Sequence, residues 1–211
     1  MRLLSVRVPI ALLSALACAA QLPPIVDARP IAPKGGALNK VAVPRLVPAP
    51  SLQDSLAASS GGPRETTSLV ASFLSDALAA QGIPVVTPGE FGDLPGGVDG
   101  GPADPIGVAK LAADRFGATA VLLGTLRRYR DLEGSRRSTA TPASVAFEVT
   151  LYAAPSGKKL WTARFDETQH SLNERPLDAS RYPGGGTRWL TAAELARWGA
   201  DATAESLVKG S

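Results

Sequence analysis

The segment "ASVAFEVTLYAAPSGKKLWTARFDET", residues 143–168, predicts two long strands joined by a tight turn. Apolar side chains recur at every second position of its first half: Val145, Phe147, Val149 and Leu151. This alternation is typical of a strand with one buried face. Residues 155–158, "PSGK", have the composition of a turn. The segment therefore predicts an antiparallel hairpin that packs one face against a core.

The chain before the hairpin predicts three more strands and two helices. "ATAVLLGTLRRY", 118–129, is almost wholly apolar in its first half, as in a central strand. Shorter strands are predicted in "NKVAVPRLVP" and in "IPVVTP", and helices over 65–81 and 104–115. Gly82 is the expected end of the first helix, and Asp104 followed by Pro105 the expected start of the second. Residues 51–63 are expected to be a polar loop.

A last helix is predicted near the end of the chain. Thr191 and Glu194 have the T-x-x-E spacing of a capping box, and apolar residues follow at helical spacing. The order of elements is then β-α-β-α-β-β-β-α. We predict an α/β (mixed α+β) fold, with a small mixed sheet and helices packed on it.

The segment "LLSALACAAQ", residues 12–21, contains the only cysteine of the chain. Arg2 and Arg7 precede an apolar run that is too short to span a bilayer, which is typical of a secretory signal. "ALAC" at 15–18 is similar to the cleavage box of bacterial lipoproteins, where the cysteine receives fatty-acyl chains such as palmitate. We therefore predict lipidation at Cys18. Ordinary signal cleavage, which would release a secreted periplasmic protein, is the alternative.

These features divide the chain into a signal peptide at 1–17, a proline-rich tether at 18–37 and a periplasmic domain at 38–211. No acidic residue directly follows Cys18, which resembles the signal for delivery to the outer membrane. Loss of the signal removes two arginines and leaves a net charge of about +1. The mature chain therefore has no global field that would recruit nucleic acid.

The order of elements behind a lipoprotein signal resembles the curli-secretion and penicillin-binding-protein-activator lipoproteins, the CsgG/LpoB-like group. Four segments carry the resemblance: "NKVAVPRLVP", "LSDALAAQGIPVV", "AADRFGATAVLLGTL" and "VAFEVTLYAAPSGKKLWTARFD". It covers about residues 39–165 and implies a domain that acts in the cell envelope. Two features differ from the group. The loop at 130–143 is too short and polar to add a membrane barrel, and the tether is shorter than the arm of the activator type.

The inventory of reactive side chains argues against an enzyme. His170 is the only histidine, and the sequence has neither a nucleophile elbow nor a phosphate-binding loop. Only "FDETQH", with Asp166 and Glu167 near His170, offers groups for acid-base work. Asp93, Asp99 and Asp104 lack the spacing of a calcium loop. We predict no catalytic residue, no metal site and no cofactor.

Arginines around the loop at 130–143 form a candidate docking surface for anionic headgroups, phosphates or an acidic partner, because arginine pairs bidentately with such groups. A solvated loop is the alternative. The candidate set is Arg127, Arg128, Arg130, Arg136 and Arg137, together with Trp189, since tryptophan is enriched at interface anchors.

The sequence therefore predicts a non-enzymatic outer-membrane lipoprotein whose periplasmic domain binds another envelope component in envelope assembly or regulation. The expected partners are the membrane, through the N-terminal lipid, and an envelope protein of unknown identity. An oligomeric subunit of a secretion or export assembly is the alternative function, and homo-oligomers are possible under either function. No nucleic-acid partner is expected.

Overall fold

The computed structural model describes residues 25–31, 38–57, 62–92, 104–137, 139–171 and 181–209. The predicted lipidation residue Cys18 lies outside the described residues. The strands are β1 (Val26–Pro30), β2 (Val41–Ala42), β3 (Val47–Pro48), β4 (Val85–Val86), β5 (Ala120–Arg130), β6 (Glu133–Gly134), β7 (Thr139–Thr141), β8 (Ser144–Ala153) and β9 (Lys159–Thr168). The helices are α1 (Pro50–Ala57), α2 (Gly62–Ala80), α3 (Pro88–Phe91), α4 (Pro105–Phe116) and α5 (Ala192–Lys209).

Seven of these strands form one mixed sheet in the order β1-β9-β8-β5-β2-β4, with β3 also paired to β5. Strand β2 pairs in parallel with β4 and β5, and β3 pairs in parallel with β5. The pairs β5–β8, β8–β9 and β9–β1 are antiparallel. Strands β6 and β7 form a separate hairpin. The predicted fold class and the predicted hairpin of β8 and β9 are confirmed.

The two faces of the sheet are covered to different extents. On the face that we call the core face, the alternating apolar residues of β8 contact α5, which packs on α2, and all three elements contribute to one buried cluster. On the opposite face, which we call the outer face, α3 and α4 cover only one end of the sheet, around Val121 and Tyr152. The other half of the outer face carries charged side chains of β5, β8 and β9, which are partly exposed.

Strand β1 lies within the segment that was expected to be a tether. Val26 is opposite Phe165 of β9 and Pro30 is opposite Trp161. Val26 is buried on the core face while its neighbour Asp27 is exposed, so this short segment alternates as an edge strand does. A proline is tolerated there because an edge strand has one unpaired side. The folded part therefore begins before the expected boundary at residue 38.

Residues 50–57 also differ from the prediction, since they form α1 rather than a polar loop. Pro50 occupies the first position of the helix, where its missing N–H costs nothing. Leu52 is buried against the main core. Two leucines four positions apart, Leu52 and Leu56, among mostly polar or small residues are too weak a signal to predict a helix from the sequence.

The predicted start of α4 and the predicted end of α2 are confirmed, whereas α2 begins at Gly62, before the expected residue 65. The Asp104 carboxylate accepts hydrogen bonds from the backbone N–H groups of Ile106 and Gly107, and Pro105 is the first residue of α4. Gly117 closes α4 with a left-handed conformation. Gly82 follows α2 with a φ of 79°. These signals are local, which is why the sequence alone located them.

Helix α5 approaches β9 very closely at Gly199. A Cβ atom at this position would lie 2.7 Å from the Phe165 ring, far inside van der Waals contact. Phe165 in turn stacks on Phe147 and meets the edge of Trp198. The absence of a side chain at Gly199 therefore sets how tightly the last helix closes the core.

The start of α5 is held by a capping box and an ion pair. The Thr191 hydroxyl accepts from the Glu194 N–H at 3.2 Å, and Glu194 accepts from the Thr191 N–H at 3.0 Å. Arg188 donates two hydrogen bonds of 2.9 Å to the same carboxylate. The hydrogen bonds from Arg188, and then that from the Thr191 backbone, outweigh partial burial and lower the pKa of Glu194 to about 2.

We predict that Gly199→Ala destabilises the protein by about 1 to 3 kcal/mol, although alanine favours helices over glycine, because the new methyl group collides with Phe165. Chemical denaturation measures the change. Gly89→Ala is the matched control, since no described atom beyond its own helix backbone and chain neighbours lies within 4 Å of its Cβ position, and it should be neutral or slightly stabilising. Equal stability of Gly199→Ala and wild type would contradict the close packing.

We predict that Glu194→Gln lowers the free energy of unfolding at pH 7 by about 1 to 2 kcal/mol. Because folding lowers the pKa of Glu194, its contribution is complete above the unfolded value of 4.5 and is lost as the pH falls towards about 2. The gap between wild type and variant should therefore close between about pH 5 and pH 2.

Urea titrations at several pH values measure this gap. Glu205→Gln is the control on the same helix, because Glu205 is exposed and, among the described residues, its ion pair is with Lys209 one turn along the helix. It should cost less than about 0.5 kcal/mol. A gap for Glu194→Gln that is the same at pH 2 and pH 7 would show that the ionised carboxylate is not what stabilises the helix.

Candidate functional site

The structure divides the predicted docking residues into two groups. Arg127 and Arg128 lie on the uncovered half of the outer face, where both pair with carboxylates. Arg130 ends β5, and Arg136 and Arg137 lie in the β6–β7 hairpin that follows. Trp189 lies beside that hairpin, because its backbone N–H donates to the Arg136 carbonyl at 3.0 Å. The six residues therefore form two surfaces rather than one.

A β-bulge brings Arg127 and Arg128 to the same face. The pairing of β5 with β8 shifts register between Leu126 and Arg128. Leu126 is fully buried on the core face. Arg127 is the extra residue of the bulge, and both arginines then reach carboxylates on the outer face. Strict alternation would have sent one of the two arginines towards the core.

The carboxylates and arginines of β5, β8 and β9 form what we call the ion-pair ladder: Arg127, Arg128, Glu148, Arg164 and Asp166. Arg127 lies 2.6 Å from Glu148, and Arg164 lies 3.7 Å from the other oxygen of Glu148. Arg164 lies 2.6 Å from Asp166, whose second oxygen accepts from Arg128. Glu148 therefore bridges arginines of the two strands that flank β8, whereas Asp166 bridges Arg164 of its own strand and Arg128 of β5, two strands away.

The electrostatics of the ladder follow from this bridging. Partial burial would raise the pKa of Asp166, but the hydrogen bonds from Arg164 and Arg128 outweigh it and lower that pKa. The hydrogen bond to Asp166 raises the pKa of Arg164, and the charges of Glu148 and Asp27 add to the effect. Both shifts favour the ionised forms of Asp166 and Arg164 at neutral pH, so their pair keeps a charge of each sign.

The second surface lies at the end of the sheet where β1 begins and β5 and β9 end, which we call the anchor end. It includes Arg130, the β6–β7 hairpin and residues 181–191. Arg136 lies 3.3 Å from Glu194, so the hairpin is tied to the start of α5. Asp131 accepts from the Ala192 N–H at 2.8 Å and makes a second tie.

Gln169 positions Trp189, a role that the sequence analysis missed. Its side-chain amide donates to the Arg188 carbonyl at 2.9 Å and accepts from the Leu190 N–H at 2.7 Å. Gln169 is 2% exposed, so both bonds are formed away from water. The only signal in the sequence is a glutamine directly after a predicted strand. That signal is informative only once the residue is known to be buried.

The "FDETQH" segment does not bring its two carboxylates together. Asp166 belongs to the ion-pair ladder on the outer face. Glu167 is paired with Val145 of β8 and accepts from the Tyr182 hydroxyl at 2.6 Å. Consecutive strand residues point to opposite faces, so the spacing in sequence does not become a shared site.

Within the residues that the structure describes, no group of three histidine, cysteine, aspartate or glutamate side chains is placed to hold a metal ion. The described helices include none that is both long and apolar enough to cross a membrane. Asp104 caps α4, and Asp93 and Asp99 lie outside the described residues.

No protein-family model matches the sequence, and no curated protein matches it. Several solved structures do. A PelC dodecamer from Paraburkholderia phytofirmans is 17% identical, over 84% of this chain and 96% of that chain, with a TM-score of 0.47. The lipoprotein GNA1162 from Neisseria meningitidis is 16% identical, over 64% and 84% of the two chains, with a TM-score of 0.41. The LpoB C-terminal domain from Salmonella enterica is 16% identical, over 65% and 88%, with a TM-score of 0.29. These are distant likenesses, and no function follows from them.

Proposed function

We propose that this protein is a lipid-anchored cell-envelope protein whose domain binds another envelope component through the ion-pair ladder, without catalysing a reaction. The observation that carries the proposal is the ladder itself. Five charged side chains from three neighbouring strands are fixed by one another on a half of the sheet that no described helix covers. Side chains that are already ordered lose little entropy on binding, so the surface is preorganised for a partner.

The chemistry of the ladder selects the kind of partner. Its arginines already pair with Glu148 and Asp166, so they do not offer unpaired cations to a phosphate or a headgroup. A protein surface with charges of both signs fits better, since complementary potentials give specificity and speed association. The sequence suggested an anionic ligand for Arg127 and Arg128. We propose instead that these two residues bind an envelope protein.

A second candidate function is an oligomeric subunit of an export assembly, and the order of charges on the sheet favours it. Across β1, β9, β8 and β5 the row reads Asp27, Arg164, Glu148 and Arg127, with alternating signs. A second copy that faces this row in the reversed direction would place each charge opposite one of the other sign. The ladder is therefore complementary to itself, as an isologous interface must be.

Lipid anchoring rests on the signal sequence and on Cys18. Several acyl chains together hold a protein on a membrane far more firmly than one chain does. The residues after Cys18 favour the outer membrane, with the domain facing the periplasm. The occupied carboxylates of "FDETQH" and the mutual pairing in the ladder support a binding role over a catalytic one.

We predict that the protein extracted from membranes begins at Cys18 and carries the added mass of fatty-acyl chains. Intact-mass spectrometry measures this directly. The Cys18→Ala variant should retain the signal peptide and accumulate as the unprocessed precursor. A wild-type chain that begins at or after Cys18 without acyl mass would contradict the anchor and leave a soluble periplasmic domain.

We predict that a photo-crosslinking amino acid at Thr150, on the outer face beside Glu148, captures a discrete partner in intact membranes. The same group at Ser72 of α2, on the other side of the sheet, should capture none. Arg164→Gln removes one member of the ladder and should reduce the adduct at least about fivefold, since charged pairs at interfaces are worth 1 kcal/mol or more.

The mass of the adduct separates the two candidate functions. An adduct that contains a different protein supports the binding role, and an adduct at a multiple of the chain's own mass supports the oligomeric subunit. Equal crosslinking from Thr150 and Ser72, or an adduct that is unchanged by Arg164→Gln, would contradict a docking role for the ladder.

A further inference from the structure

We infer that the anchor end of the domain lies against the membrane and that the guanidinium groups of Arg130 and Arg137 bind anionic phospholipid headgroups there. This inference rests on the proposed lipid anchor at Cys18. It goes further, because it fixes which end of the domain faces the lipid and which side chains touch it.

The first step is the length of chain between the lipid and the folded part. Seven peptide units separate Cys18 from Ile25, the residue before β1. Even fully extended they span at most about 25 Å. The strands β8 and β9 have 10 residues each and are about 33 Å long. The link is therefore shorter than the sheet and cannot run from one end of it to the other.

The second step is the direction of β1. Val26, at its start, is opposite Phe165, and Pro30, at its end, is opposite Trp161. Strand β9 runs the other way and reaches Thr168, which is opposite Ser144. The chain before Val26 thus leaves the sheet towards the end at which β9 stops. The acylated cysteine must insert into the bilayer on that side.

The third step is which side chains lie at that end. Arg130 is opposite Ser144 at the last position of β5, and the β6–β7 hairpin with Arg137 follows directly. Both arginines are exposed, and neither guanidinium makes a hydrogen bond or an ion pair with another described residue. Trp189, half-buried beside the hairpin, adds the residue type that is enriched at membrane interfaces.

Four described carboxylates at the anchor end accept hydrogen bonds within the protein. Glu194 takes hydrogen bonds from Arg188, Asp131 caps α5, and Glu167 accepts from Tyr182. Glu133 accepts from the Thr141 hydroxyl within its own hairpin. Among the residues that the structure describes at this end, each of these carboxylates already has a donor, which leaves Arg130 and Arg137 to bind an anionic headgroup through arginine's planar fork of donors.

Positive charge alone does not distinguish the anchor end from the opposite end of the sheet, because both ends carry exposed cationic side chains. The turn between β8 and β9 and the start of β9 carry Lys158 and Lys159, which are also exposed. The short link and the direction of β1 decide between the two ends. The lysines of the far end are therefore a matched control for the arginines of the anchor end.

The test uses the acylated full-length mature protein, added to preformed vesicles. Because Cys18 is the only cysteine and is acylated, an introduced thiol is the only one that a dye can label. Ser135→Cys places a fluorophore in the β6–β7 hairpin, and Ser156→Cys places it in the turn at the far end. Energy transfer to an acceptor-labelled headgroup lipid reports how close each fluorophore lies to the bilayer.

In vesicles of phosphatidylcholine with one third phosphatidylglycerol, we expect transfer from position 135 to exceed that from position 156 at least threefold, because the two positions are separated by about 30 Å along the strands. Arg130→Gln combined with Arg137→Gln should lower transfer from position 135 in these vesicles. Lys158→Gln combined with Lys159→Gln should leave it unchanged. In vesicles of phosphatidylcholine alone, energy transfer from position 135 should be the same in both double variants as in the protein without these substitutions.

Three outcomes would overturn the inference. Equal transfer from the two positions, with acyl mass present, would overturn the orientation and leave the proposed anchor intact. Transfer that favours position 135 but is unchanged by the arginine variants would overturn lipid binding by Arg130 and Arg137. A chain without acyl mass that does not float with vesicles would overturn both this inference and the proposed anchor.

Discussion

The pairing of β8 with β5 on one side and with β9 on the other holds the rest of the protein in place. Every residue of β8 is buried or half-buried, and its apolar positions face the core under α2 and α5. A shift of one residue would send this whole apolar set to the other face, so the register is strongly fixed. The helices, the edge strand β1 and the ion-pair ladder all take their positions from this three-stranded unit.

Much of the fold was predictable because its signals are local. The alternation in 145–151, the turn at 155–158 and the caps at Asp104 and Thr191 each depend on neighbours within a few positions. Strand β1 was not predictable, because its pairing partner β9 is far away in sequence and prolines flank its short alternation. Helix α1 was missed for the same reason, since only contact with the core makes it favourable.

The sequence predicts which arginines belong to the candidate site, but it does not predict how they are arranged in space. The sequence marks six residues, but it does not show that a bulge turns Arg127 and Arg128 to one face or that Glu148 and Asp166 neutralise them. Those facts depend on the register of three strands. Arg127 and Arg128 pair with carboxylates of neighbouring strands and form a surface with charges of both signs. The guanidinium groups of Arg130 and Arg137, which are nearby in the sequence, pair with no described carboxylate.

The proposed orientation relates the two surfaces to each other. With the anchor end against the lipid, the strands stand away from the membrane, because β1 begins at that end and runs towards the far end. The outer face of the sheet, which lies parallel to the strands, is then directed sideways. A partner that meets the ladder must therefore approach along the membrane. Both candidate partners of the ladder satisfy this condition. A neighbouring envelope protein and a second copy anchored in the same leaflet are each held beside the domain, at the same distance from the membrane.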